Sequence, residues 1–380
     1  MEKIYTALGL MSGTSLDGVD VSIIKSDGNK EYSSIFDNYF EYDQDLVKKL
    51  LKIRDKISNS KDLISFSKEL DSLEKEITLF HAKAVNETLD KSKLKIDIVG
   101  FHGQTVFHSP QEKKTKQLGD GKLLSQLIKK KVVYNFREND LMNGGQGAPL
   151  VPIFHNALAN KINKKFKLEF PISILNIGGI ANITFTVNEN NLWNKEKIYA
   201  YDIGPGNCLI DEWIRKNSNK KFDKEGSIAK SGKTDQLILN QALENFNIES
   251  FDKSLDIKDF DIFFAKGLSL EDGASTVTDF TAKLIADGIN YLDRDKKFPN
   301  NKWLVCGGGR KNKYLLESIQ NNFEKLNLDP IDKYEINGDF IESQSFAFLA
   351  IRSLEGMPIS FPSTTRCESP STGGIIVENF

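Results

Sequence analysis

Cysteine is scarce in this 380-residue chain: Cys208, Cys306 and Cys367 are odd in number and far apart. Such spacing offers neither a disulfide framework nor a zinc site, and it fits reduced thiols in a cytoplasm. Long apolar runs are missing as well. No stretch approaches the ~18 residues of a membrane-spanning helix, and MEKIYTALGL lacks the long apolar core and cleavage site of a signal peptide. Neither sign of charge is in excess, with 51 Lys and Arg against 53 Asp and Glu. No global field therefore draws the protein to nucleic acid or to a membrane surface. The chain also has no GxxxxGK[ST] string and no protein-kinase set of Gly-rich loop, HRD and DFG. The expectation these absences leave is a soluble, cytoplasmic protein with small, locally bound partners.

Glycine-rich turns are what the sequence has instead. GLMSGTSLDGVD (Gly9 to Asp20) is echoed by LNIGGIANIT (Leu175 to Thr184). In each, apolar residues enter a turn of Gly, Ser, Thr, Asn or Asp, and a β-rich run leaves it. Such turns present backbone N–H groups without bulky side chains, which suits phosphate oxygens, although most glycine turns simply reverse the chain. Two copies suggest two related domains that grip one polyphosphate. At 380 residues, two α/β domains are also the natural reading of length.

The opening residues read as a β-meander of IYTALGL, VDVSIIKS and SIFDNYFEY. Helical spacing follows at Leu63, Phe66, Leu70, Leu73, Ile77, Phe80, Ala84 and Leu89, with Asp62 or Ser60 as cap. IDIVGF reads as a buried strand opening on HGQT, and KVVYNF as another strand. NGGQGAPLVPIFHNALA is the expected crossing between domains. Strands ISILNIGG, ANITFTV and KIYAYDI then repeat the first pattern, followed by WLVCGGG and a closing IIVENF.

Phosphoryl transfer needs charge neutralisation, a positioned acceptor and exclusion of water. Ser12, Gly13, Thr14, Ser15 and Gly18 can cradle phosphates, with Asp17 or Asp20 orienting Mg²⁺ through its water shell, although Asp17 alone reads equally well as a turn cap. In YDIGPGN, Asp202 ends a strand and suits a general base, where an Asp-initiated turn is the plainer alternative. HGQT gathers His102, Gln104 and Thr105 at another strand end, while His81, His108 and His155 read as structural. CGGGRKN lets a flat ring lie on bare backbone near Arg310, Lys311 or Asn312.

In this order, GLMSGTSLDGVD, FHGQTVFH, GGQGAPLVP, LNIGGIANIT, YDIGPGN and VCGGGRKN resemble the signature segments of the anhydro-N-acetylmuramic acid kinase family, from about residue 7 to about residue 355. The resemblance implies the actin, sugar-kinase and heat-shock-chaperone ATPase fold. That is an α/β protein of two duplicated, ribonuclease H-like domains with mixed sheets flanking a nucleotide cleft. The expected domains are 1–135, to which 360–380 can return, and 136–359. The implied reaction turns 1,6-anhydro-N-acetylmuramic acid, ATP and water into N-acetylmuramic acid 6-phosphate and ADP, in peptidoglycan recycling.

Asp202 becomes the implied base. Gly13, Thr14, Ser15, Leu16, Asp17, Gly18, Val19 and Asp20 fall on the ATP phosphates, Gly178 and Gly179 on their other side, and Gly307, Gly308 and Gly309 near the nucleoside. His102, Gln104, Thr105, Gln146 and Glu342 become sugar-pocket candidates. ATP and Mg²⁺ are the implied cofactors; the groups that hold the metal and a homodimer stay open. Three segments depart from the family pattern. Ile203 stands where Thr is usual, KSLDIKDF (Lys253 to Phe260) replaces K-S-T-G-R-E-x-F, and NFREND keeps Arg137 but places Asn139 and Asp140 in a usually more basic segment. A kinase for another sugar, or an ATP-driven assembly switch, are the alternative readings.

Overall fold

The computed structural model describes residues 3–13, 15–186, 198–246, 253–293, 302–323 and 328–380. Its strands are β1 (Tyr5–Ser12), β2 (Gly18–Ser26), β3 (Tyr32–Glu41), β4 (Ile98–Ser109), β5 (Lys114–Leu118) and β6 (Val132–Tyr134), then β7 (Ile172–Ile177), β8 (Ile180–Thr186), β9 (Ile198–Pro205), β10 (Lys302–Cys306), β11 (Leu328–Pro330) and β12 (Ile375–Val377). Among the described residues the chain forms two compact units, 3–165 with 198 and 340–380, and 166–186 with 199–339.

The first unit carries a mixed sheet in the order β12-β6-β4-β1-β2-β3, with β5 pairing β4. β1 and β2 form an antiparallel hairpin (Leu8↔Ile23), while β4 runs parallel to β1 (Leu8↔Val99). Strand alternation sorts the two faces. Leu8, Leu10, Val99 and Phe101 join Leu46, Leu50, Leu73 and Ile77 from the helices Gln44–Lys56 and Ser67–Ser92 in one core. Gly9 and Gly100 point the other way, under the helix Ile341–Leu354. A Cβ on Gly9 would stand 1.9 Å from the Ser343 carbonyl oxygen, and one on Gly100 2.1 Å from that of Phe346. The helix backbone therefore lies directly on the sheet. The helix expected from Leu63 begins earlier, because Asn59 and Asp62 form a capping box over Ser60–Ser65, and it breaks at Phe66 before Ser67–Ser92 resumes.

The second unit repeats the plan in the order β11-β10-β7-β8-β9. β7 and β8 make an antiparallel hairpin, β10 runs parallel to β7, and β11 runs parallel to β10. Each sheet thus starts from a hairpin with a glycine turn and adds parallel strands beside its first strand, the duplicated α/β arrangement expected from the sequence. The helix Leu270–Asp293 crosses at two glycines: a Cβ on Gly273 would meet Trp213 at 1.9 Å, and one on Gly288 would meet Ile203 at 2.5 Å. Ile203 is fully buried there, so the residue that replaces the usual Thr is a packing residue of the core.

The expected boundaries of 135/136 and 359/360 are corrected to 165/166 and 339/340. Two packing facts explain the shift. The helix Pro152–Phe166 buries Ile153, Phe154, Leu158 and Ile162, and the Phe154 ring packs on Tyr32 (5.0 Å) and Phe348 (5.4 Å). The helix Ile341–Leu354 belongs to the first sheet through Gly9 and Gly100, and β12 then pairs antiparallel with β6. NGGQGAPLVP accordingly lies inside the first unit and is no crossing.

Gly9→Ala or Gly100→Ala must push the helix off the sheet, an overpacking that costs about 1–3 kcal/mol. The thermal unfolding midpoint should fall by several degrees in either variant. Gly308→Ala, whose added methyl would approach nothing closer than 3.7 Å, should leave it unchanged.

Candidate active site

The β1–β2 turn is held from below by a buried hydroxyl chain. The Ile77 carbonyl can only accept, so His81 Nδ1 carries the proton it shares with that oxygen at 2.8 Å. His81 Nε2 then accepts from Ser12 Oγ (2.9 Å), which in turn accepts from the Tyr42 hydroxyl (2.9 Å). Ser12 therefore serves the fold beneath the turn and does not point outward to a ligand. Leu16 adopts φ 58° with its side chain in the core, and Val19 is also buried there, so both can offer a ligand only their backbone. Gln104, fully buried on β4, donates from Nε2 to the Gly13 carbonyl at 2.9 Å and braces the turn. Asp17 is exposed and accepts from Ser15 Oγ at 2.7 Å, while its carbonyl takes the Tyr42 N–H and the Tyr39 hydroxyl, each at 2.9 Å. Asp20 is half-buried on β2, opposite Met11. Thr14 lies outside the described residues.

Glycine is needed at different positions for different reasons. At Gly18 a Cβ would strike the Phe40 carbonyl (2.3 Å); at Gly307 and Gly309 it would strike β7 at Ile177 (2.6 and 2.2 Å). Those glycines are required by packing. Gly13, Gly178 and Gly308 are unlike them: no contact closer than 3.4 Å would meet a Cβ there, and none of the three has positive φ. Among the described residues nothing requires glycine at these positions, whereas a ligand lying on bare backbone would.

His102 is buried and neutral. Its Nδ1–H donates to the Gly103 carbonyl (2.8 Å), and Nε2 accepts from Arg137 Nε (3.1 Å) and Nη2 (3.0 Å). Burial first, and the Arg137 charge second, hold its pKa well below the usual histidine value. It therefore orients Arg137, whose Nη1 donates to the Gly147 carbonyl at 2.9 Å. Asp140 is buried, where it accepts the Gly147 N–H (2.6 Å) and Thr365 Oγ1 (2.6 Å), so this departure from a basic pattern staples the GGQG loop. Gln146 joins the loop through its N–H to the Thr365 carbonyl (2.8 Å), Thr105 accepts from Gln117 (3.3 Å), and Glu342 sits half-buried in the first turn of Ile341–Leu354.

In the second unit the GPGN turn docks on the β7–β8 turn mainly through backbone, with the Asn207 side chain adding a longer bond to the Ile177 carbonyl (3.4 Å). Gly206 N–H donates to Gly179 O (2.9 Å), Asn207 N–H to Gly178 O (2.7 Å), and Cys208 N–H to Gly179 O (3.2 Å). A Cβ at Gly206 would fall 2.2 Å from the Gly178 carbonyl oxygen. This docking fixes the end of β9, where Asp202 is 7% exposed. Asp202 Oδ2 accepts from Ser254 Oγ (3.1 Å) and from the Leu255 N–H (2.9 Å). Arg310, read from the sequence as a nucleotide neighbour, is instead clamped inside the unit. Burial opposes its charge, but Asp332 at 2.7 and 3.0 Å and Asp339 at 2.6 Å outweigh that and keep it firmly protonated. Lys311 pairs with Asp339 (2.6 Å), and Asn312 caps the helix Lys313–Asn321. The sequence reading passed over Ser254, Asp332 and Asp339; only the KS of KSLDIKDF offered a signal for the first.

The four histidines lie in the first unit, three buried and His108 half-buried, and desolvation pushes their pKa values down: His81 to about 4, His108 and His155 to about 3, and His102 well below 6.5. The unfolded chain takes up protons below about pH 6.5 that the folded chain refuses, so stability is lost as pH falls from there toward the folded values. Each histidine can cost up to about 1.4 kcal/mol per pH unit in that window. Denaturant unfolding should show a clear loss between pH 7.5 and 5.5, and histidine NMR signals should not titrate above pH 5 in the folded protein.

A model of the anhydro-N-acetylmuramic acid kinase family matches residues 5–379. A relative of that name from Pelagibacter ubique (strain HTCC1062) is 55% identical over 383 residues, covering 100% of both chains. Another, from Rhodopseudomonas palustris (strain ATCC BAA-98 / CGA009), is 39% identical over 380 residues, covering 98% of this chain and 99% of its own. Among solved structures, an activator of 2-hydroxyisocaproyl-CoA dehydratase from Clostridium difficile with bound ADPNP aligns over 92% of this chain and 96% of its own, at 11% identity and TM-score 0.44. A ROK family glucokinase from Streptomyces griseus in complex with glucose and AMPPNP aligns over 91% and 99%, at 11% identity and TM-score 0.37. With the sequence match running from end to end through the turns and the Asp202 strand just described, the chain belongs to the anhydro-N-acetylmuramic acid kinase family.

Proposed function

We infer that this protein is an ATP-dependent kinase that opens the 1,6-anhydro ring of anhydro-N-acetylmuramic acid with water and phosphorylates O6, in the recycling of cell-wall sugars. The full-length identity of 55% to a relative of that name carries the reading. The bare backbone at Gly13, Gly178 and Gly308 supports it, because phosphates and a nucleoside need close approach to N–H groups.

Two bonds change at the sugar. Water attacks the anomeric carbon as the bond from that carbon to O6 breaks, and O6 takes the γ-phosphoryl group as ADP leaves. Asp202 is the base in this reading and accepts the water proton. A carboxylate activating water on the face opposite a leaving oxygen is half of an inverting glycosidase, and the departing oxygen needs no acid because phosphorus takes it. Mg²⁺ would neutralise phosphate charge. Among the described residues no group of three or more His, Cys, Asp or Glu is arranged to hold a metal. Asp17, which is exposed, or Asp20 would hold the ion through its water shell, which suits Mg²⁺ bound mainly by phosphates.

No helix among the described residues is long and apolar enough to cross a membrane, and none of the three cysteines forms a disulfide. In this reading the enzyme works in the cytoplasm on small molecules.

Asp202→Asn keeps the shape and loses the proton acceptor, so turnover should fall at least ~100-fold while ATP affinity is largely retained. Ring opening and phosphorylation should fail together, and ¹⁸O from labelled water should appear on the anomeric carbon in the unaltered enzyme. Near-normal turnover in a folded Asp202→Asn protein would remove the assignment. Gly13→Val should weaken ATP binding in calorimetry at least ~10-fold, since its side chain would displace phosphate from the backbone donors; unchanged affinity would contradict the phosphate role. Turnover of ATP that requires the anhydrosugar separates this enzyme from a nucleotide-driven switch.

A further inference from the structure

We propose that Ser254 is a positioning residue for Asp202, acting with the Leu255 N–H to hold the carboxylate in a single rotamer. The proposal rests on the reading of Asp202 as the base. An aspartate carboxylate swings about two bonds, and a base must hold its oxygen within hydrogen-bond reach of the attacking water. Strand β9 fixes the Asp202 backbone but not those two bonds. The Ser254 hydroxyl at 3.1 Å and the Leu255 N–H at 2.9 Å converge on one oxygen, Oδ2. Charge-assisted bonds of this kind are stronger than neutral ones, and in a site only 7% exposed water does not readily replace them.

The segment that supplies the donors is itself rigid. Asp256 Oδ1 accepts the Lys258 N–H (3.0 Å), and the Asp256 N–H donates to Asp259 Oδ2 (2.7 Å), a reciprocal lock immediately after Leu255. Phe260 then stacks on Phe246 with centroids 5.3 Å apart, and the Leu255 side chain packs on the unit's core. The departures within KSLDIKDF thus spare what the carboxylate uses. One requirement is a hydroxyl at 254; the other is a backbone N–H at 255, which any residue except proline provides.

The test uses the full-length enzyme with ATP, Mg²⁺ and 1,6-anhydro-N-acetylmuramic acid. Ser254→Ala should lower kcat about tenfold or more, as loss of a hydrogen bond to a charged group does, with KM for both substrates unchanged within about twofold. Ser254→Thr keeps the hydroxyl and should recover most of the loss. In an Asp202→Asn background, Ser254→Ala should cause no further loss, because the two residues act through one group. A wild-type kcat in Ser254→Ala, beside an inactive Asp202→Asn, overturns the positioning role and leaves the base assignment standing. An equal further loss in the Asp202→Asn background also overturns it. Near-normal turnover of Asp202→Asn removes the base assignment, and the positioning role with it.

Discussion

Backbone meets backbone at the places on which each unit depends, and the missing Cβ of glycine makes this possible. Ile341–Leu354 rests on β1 and β4 only because Gly9 and Gly100 carry no side chain toward it. The GPGN turn reaches the carbonyls of Gly178 and Gly179 only because Gly206 carries none. Contacts of this kind leave little room for adjustment: a single methyl would fall about 2 Å from a carbonyl oxygen, well inside the closest distance carbon and oxygen tolerate. Hydrophobic burial supplies the bulk of the stability, but these contacts decide which helix belongs to which sheet and where β9 ends.

Around the candidate site, charged and polar side chains mostly hold other groups. His102 fixes Arg137, Asp140 staples the loop at Gly147, Gln104 braces Gly13, and Asp332 with Asp339 clamps Arg310. Asp202 is itself fixed, by Ser254 and Leu255. A buried polar group without partners is costly, so each of these residues has a structural reason for its neighbours. In the proposed reaction this rigidity serves chemistry, since a base that wanders cannot keep its oxygen on the attacking water.

Burial limits which atoms of several turn residues a ligand could reach. Leu16 and Val19 follow phosphate-turn residues in the chain, but strand alternation and a left-handed turn send their side chains to the core. Ser12 looked like part of the cradle, yet His81 and Tyr42 hold its hydroxyl inside. Arg310, Lys311 and Asn312 follow a nucleoside-like glycine run, and each is occupied within the second unit. Adjacency in sequence names a neighbourhood. Which way a side chain points depends on packing that no local string encodes.

The sequence by itself determined the family, the duplicated α/β plan and the placing of Asp202 on a strand, because glycine turns and strand runs are local signals written in consecutive residues. Tertiary structure alone decided that residues 136–165 and 340–359 belong to the first unit, since that follows from Phe154 on Tyr32 and Phe348 and from a helix laid over Gly9 and Gly100. It alone paired Ser254 with Asp202 across 52 positions of chain. Contacts between residues so distant in sequence depend on how whole elements pack, and no local pattern of residue types specifies that geometry.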